Sequence, residues 1–209
     1  VALSDRALCS LQALKAYLGL EVADYDSALE GIIEAVSARV ESHTGRALMA
    51  RDYSPDPADP AYDPDNAVFD GDGGETLALP QYPVQSLTGL SLNGLALAPA
   101  SGVSPGWVLN RRSGMVSLVG GVFTPGLGNV AVAYRAGYET APADLAQAAV
   151  EWAAAKVLDS HLAGNLGGKR LGLRSEALPD GLGTRSFESG ALPVAVRAVL
   201  DRYRKAVFA

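Results

Sequence analysis

The sequence is poor in the side chains on which most protein chemistry depends. It has one cysteine, Cys9, and two histidines, His43 and His161, among 209 residues. A single cysteine excludes an internal disulfide framework and any multi-cysteine zinc site. Two histidines leave almost no material for imidazole-based metal or acid–base sites. Aromatic residues make up 7% of the chain and charged residues 19%. No run approaches the ~20 apolar residues that a membrane helix needs. The longest small-apolar stretch, around Ala146–Leu158, is interrupted by Gln147, Glu151 and Lys156. The opening VALSDRALCSLQALKAYLGL has neither a basic start nor an unbroken apolar core, so no secretory signal is read there. The expectation is a soluble protein of a reducing cytoplasm, with no membrane partner and no cofactor.

What is present describes a folded, loop-rich chain. Hydrophobic residues reach 48%, enough for a substantial core in one large domain or two small ones. Glycine (23) and proline (12) together exceed an ordinary share but stay below that of low-complexity sequence. The net charge of −6 argues against a general DNA-binding surface. That charge is unevenly placed. Residues 1–100 hold five basic and fifteen acidic side chains, and residues 101–209 hold twelve basic and eight acidic. Such a split is either chance surface composition or the mark of a molecule that packs acidic face to basic face around a ring or stack.

Periodicity then gives the organisation. Ser10 is a suitable N-cap for a helix over 11–18 ended by Gly19. A second helix is expected from about Ser27 to Thr44, with Leu29, Ile32, Ile33, Val36 and Val40 on one face, Asp24 or Asp26 as cap and Gly45 as stop. Residues 55–65, PDPADPAYDPD, exclude helix and central strand. Short strands follow at 67–69, 75–79, 84–92, 95–97, 107–109, 115–118 and 130–134, with Asn93-Gly94 as a hairpin turn and 110–114 (NRRSG) as another. A helix resumes at Pro142, a favourable first helical position, and runs to about Leu162. Residues 164–190 are rich in glycine and carry Lys169, Arg170, Arg174 and Arg185 with little apolar periodicity, the pattern of a long mobile loop. The last helix is expected from Pro193 to the end, with Val196, Val199, Leu200, Tyr203 and Val207 as its stripe.

The order helices, strands, helices predicts an α+β fold. Residues 1–48 and 139–209 form a helical bundle, and 50–137 an inserted unit of β-hairpins, sandwich-like in character.

Catalytic and ligand motifs are weak. Asp159, Ser160 and His161 are consecutive, and helical neighbours point in different directions, so they form no triad. Neither Gly120-Gly121 nor Gly167-Gly168-Lys169 has the spacing of a phosphate loop. The run Asp70–Glu75, with Asp63 and Asp65 nearby, offers carboxylates to a calcium ion but lacks the full twelve-residue pattern. An acidic hairpin tip is the plainer reading, and no metal site is assigned. Trp107, Tyr62 and Tyr82 would favour a carbohydrate- or ligand-binding module if they shared one sheet face. The C-terminal helix, with Arg197, Arg202, Arg204 and Lys205 opposite its apolar stripe, suits docking on a partner if its final turn projects outward.

Several segments carry a family resemblance by their order: CSLQALKAYLGL, LEGIIEAVSARVESHTGRAL, LPQYPVQSLTGLSLNG, GMVSLVG and VAVAYRAGYETAPADLAQAAVEWAAAKV. This succession, across about residues 8–162, resembles the head–tail connector proteins of tailed bacteriophages, also called adaptor or head-completion proteins. The resemblance implies a virion structural protein without catalytic residues. It implies a ring, usually twelve-fold, beneath the portal, which extends the DNA channel without binding DNA specifically and gives the tail a docking surface. The implied partners are the portal protein, a tail-side stopper or tail terminator, and further copies of the chain. It also implies a C-terminal segment set against the portal, here with Arg197, Arg202, Tyr203, Arg204, Lys205 and Phe208 as contacts. Lys169, Arg170, Arg174 and Arg185 become candidates for subunit or partner contact.

Overall fold

A computed structural model describes residues 3–101, 104–159, 175–177, 184–186 and 192–205. The fold is α+β, and the chain divides into two compact units. One joins Val1–Gly45 to Ala141–Ala209, and the other is Arg46–Thr140.

The first unit is helical. Helix α1 (Leu11–Leu18) starts where Ser10 Oγ accepts the Ala13 N–H at 3.1 Å, and it ends at Gly19, whose φ of 69° is left-handed. Helix α2 spans Asp26–Thr44 and stops at Gly45, φ 70°. Neither expected aspartate caps it. Tyr25 occupies the N-cap without a side-chain bond, and the Asp26 carboxylate is drawn instead to Lys15 Nζ at 2.7 Å. Leu29, Ile33, Val36 and Val40 are buried, as their spacing demands. Helix α4 (Ala143–Asp159) buries Leu145, Ala149, Trp152, Ala153 and Val157, with its alanines admitting close neighbours. Helix α5 (Val194–Leu200) is shorter than its stripe predicts. Val196 and Leu200 are buried, and the chain then tightens into a 3₁₀ turn over Asp201–Tyr203. At Arg204 the backbone turns extended, and the Lys205 N–H bonds the Thr44 carbonyl at 2.7 Å. That bond fills one of the carbonyls left open at the α2 C-terminus. Where the sequence reads only loop, strands β9 (Ser175–Ala177) and β10 (Thr184–Ser186) pair antiparallel.

The second unit is built on two antiparallel sheets. Strand β8 (Gly126–Ala136) is the axis of the larger one. On one edge it pairs β1 (Arg51–Tyr53) and β2 (Val68–Gly71), and on the other β4 (Val84–Leu92), which turns at Asn93-Gly94 into β5 (Leu95–Ala96). Both turn residues have positive φ, 52° and 78°, as a tight two-residue hairpin requires. The smaller sheet has the order β3 (Thr76–Ala78), β7 (Met115–Val119), β6 (Gly106–Asn110). Leu79, Val116 and Leu118 pack with Val84, Leu90, Val130, Val132 and Tyr134 in one core between the sheets. Two local readings change. Strand β1 has no alternating pattern long enough to announce it. Within the proline-rich run, Pro64 opens a single helical turn, α3 (Pro64–Ala67), because a first-position proline loses no intrahelical bond and Asp63 Oδ1 accepts the Asn66 N–H at 3.2 Å.

Candidate functional site: the C-terminal segment and its anchors

The expected docking segment is fastened at three points. Tyr203 Oη donates to Asp144 Oδ1 at 2.6 Å, and Arg202 Nη2 pairs with Asp144 Oδ2 at 3.1 Å. His43 Nε2 meets Asp201 Oδ1 at 2.9 Å. Lys205 is held through its backbone, as described above. Asp144 sits in the first turn of α4, where a carboxylate is favoured by the unsatisfied N–H groups, and it accepts the Leu145 N–H at 2.9 Å. The Tyr203 hydroxyl first, and then the Leu145 amide and Arg202, hold its carboxyl below the ordinary aspartate range, against a smaller opposing effect of burial.

The candidates therefore fall into different classes. Tyr203 is half-buried and serves as an anchor, and Arg202, though largely exposed, shares Asp144 with it. Arg197, Arg204 and Lys205 have exposed side chains along 197–205. Phe208 lies outside the described residues, as do Lys169, Arg170 and Arg174. Arg185 falls on β10, in register with Glu176. Sequence reasoning missed Asp144, His43 and Asp201 as anchors. The available signal was an acid directly after Pro142-Ala143, which marks a helix start but not what the acid holds.

The alternative chemistry is occupied elsewhere. Burial pushes the Cys9 thiol up to about 11, so it stays protonated and unreactive near neutral pH. Ser160 and His161 lie outside the described residues. In the acidic stretch, Asp70 Oδ1 accepts the Gly128 N–H at 2.5 Å, Asp72 Oδ1 accepts Gly74 N–H at 2.8 Å, and Asp63 caps α3. Among the described residues no three His, Cys, Asp or Glu side chains are arranged to hold a metal ion. No helix among them is long and apolar enough to cross a membrane. The three aromatic candidates sit on separate segments. Trp107 Nε1 donates to Leu97 O at 3.0 Å, Tyr82 lies 4.1 Å beneath the Arg46 guanidinium, and exposed Tyr62 forms an isolated parallel bridge with Ser54.

Known proteins give this arrangement a context. No curated protein matches the chain. Among solved structures, a chain described as the neck of an empty GTA particle computed with C6 symmetry superposes with a TM-score of 0.57 at 21% identity, covering 100% of this chain and 95% of that one. A chain from the neck of a native GTA particle computed with C12 symmetry gives 0.55 at 20%, covering 100% and 94%. These likenesses are of fold. The family model of head completion proteins matches residues 7–152, which include α1, α2, the whole β unit and most of α4. The chain belongs to the head completion protein family.

Proposed function

We propose that the chain is a head–tail connector of a tailed phage or phage-like particle. It forms a ring beneath the portal, extends the DNA channel and presents a docking surface to the tail-side stopper or terminator. The observation that carries this reading is the family match over residues 7–152, joined to a fold shared along the whole chain with neck chains of GTA particles. The C12 symmetry of one of those necks supports a twelve-fold ring. The protein works in the virion, assembled in the host cytoplasm, and by surface complementarity rather than catalysis. Membership in the head completion family supports a non-enzymatic role. The net charge of −6 supports a lumen through which DNA slides without tight phosphate contacts.

Within this reading the portal contact is the exposed basic edge, Arg197, Arg204 and Lys205 with Arg202 beside them. Tyr203 works from behind as a fastener, and Phe208 stays a candidate contact. Lys169, Arg170, Arg174 and Arg185 remain candidates for subunit or partner contact. Reversing the charge of Arg197, Arg202 and Arg204 together is expected to weaken portal binding at least about tenfold. The governing experiment is electron microscopy of particles made without this gene. Separate tails beside DNA-filled or leaking heads are expected, whereas normal infectious tailed particles would overturn the proposal.

A further inference from the structure

The β unit has a charge axis that composition conceals. Between Arg51 and Arg111 there is no lysine or arginine, and there is none between Arg112 and Arg135. Register places all five arginines of Arg46–Thr140 toward one end, where Arg135 is taken up by Asp52 at 3.1 Å and Glu139 at 3.0 Å. Arg51 pairs with Ala136, which pairs with Val84, and the Val84 N–H bonds the Arg111 carbonyl at 2.7 Å. Arg46 Nη1 donates to the Tyr82 carbonyl at 2.6 Å, two residues before β4 begins. Arg111 and Arg112 form the exposed tip of the β6–β7 turn, with no ion pair among the described residues.

The opposite end is acidic and apolar. There β8 begins at Gly126, β2 ends at Gly71 and β4 turns at Asn93. Asp70, Asp72 and Glu75 are exposed at this end, and no basic residue accompanies them. Leu127 is 90% exposed and Leu95 72%. The loops that carry these side chains are stapled together. Asn129 Oδ1 accepts the Gly71 N–H at 2.8 Å, and Asn129 Nδ2 reaches Asn93 Oδ1 at 3.1 Å and Thr124 O at 2.9 Å. Asn93 Nδ2 donates to Thr124 Oγ1 at 2.8 Å. Two large exposed leucines on a tip fixed by hydrogen bonds are costly to leave in water and are prepared to meet a surface. The eleven residues of β8 separate the two ends by about 33 Å.

We infer that the two ends of the β unit are the two halves of one heterologous contact between copies of this chain. The Asp72–Glu75 and Leu127–Leu95 tip of one copy seats on the Arg111–Arg112 turn of the next. This rests on the ring reading above and names its contact. A closed ring needs two different, mutually complementary patches on each subunit, and opposite charge selects a second copy over a partner of either single sign.

Charge exchange tests it. The wild-type chain is expected to sediment as a ring-sized oligomer at low salt and to fall apart as salt rises. D72K/E75K and R111E/R112E are each expected to weaken association at least about tenfold. E75K alone, which spares the Asp72 turn, should weaken it less. An equal mixture of the two double variants re-forms the oligomer, because every contact in an alternating ring is again complementary. That recovery also shows that both variants are folded. Rings that persist in either double variant, or reversed chains that fail to recover when mixed, overturn this contact and leave the ring reading standing. A wild-type chain that stays monomeric at low salt overturns this contact as a self-sufficient one and leaves the ring reading to the particle experiment above.

Discussion

Gly137 shows how one position can be fixed by its surroundings. Its φ is +111°, and a Cβ added there would meet the Met49 carbonyl oxygen at 2.5 Å. Gly19 has a similar left-handed need, φ +69°, but nothing lies within 4 Å of its missing side chain. Gly137→Ala is therefore expected to cost about 3 kcal/mol or more in urea unfolding, and Gly19→Ala only about 1 kcal/mol. Cys9 gives a second residue-scale outcome. Burial raises its thiol from 9.0 to about 11, so the folded chain keeps a proton that the unfolded chain gives up between those values. Its contribution to stability is complete below pH 9 and is lost as pH rises toward 11. A thiol reagent at pH 8 should react slowly with the native protein and rapidly in denaturant. The Gly137 turn was legible in the sequence as the exit from a strand. The close approach of Met49 was not, because it arises from a parallel bridge between Met49 and Tyr138, which lie far apart in the chain.

At the scale of elements, the 3₁₀ turn after α5 depends on Asp144. Asp144→Ala removes the partner of both Tyr203 and Arg202. The expected result is faster amide exchange over 201–205 with little change in the core of α4, readable by hydrogen exchange. Tyr203→Phe, which keeps the ring and loses one charge-assisted bond, should cost about 1–2 kcal/mol. Because the Asp144 carboxyl is held below its ordinary value, this fastening is complete above that value and loosens as pH falls through the lowered one. Elements with their own local signals were readable in advance. Ser10 and Gly19 bracket α1, and Asn93-Gly94 turns β4 into β5, because cap and turn chemistry is short-ranged. What escaped was set by distant partners. The three residues of β1 are strand only because β8 lies beside them, and the chain after α5 is held at Lys205 by the Thr44 carbonyl rather than continuing as helix. The candidate site divides the same way: its basic residues were visible in the sequence, whereas its anchors come from α2 and α4.

For the whole molecule, the division into two units has an asymmetry. Arg46–Thr140 is contiguous and holds its own core of Val84, Val116, Phe123, Val130, Val132 and Tyr134, whereas the helical unit is assembled from two separated pieces. Residues 46–140 expressed alone are expected to fold, with dispersed amide resonances and a cooperative unfolding transition. The piece 141–209 alone is expected to lack fixed structure, because α4 would then lose α1 and α2, on which it packs.

The position of β8 has a consequence for how the protein is made. Residues 51–53, 68–71 and 84–92 all wait for one strand that ends at Ala136. A ribosome must therefore deliver the chain through Ala136 before the larger sheet can close, and strand edges that later lie paired are open to other nascent chains meanwhile. That interval is when the chain is most exposed to aggregation.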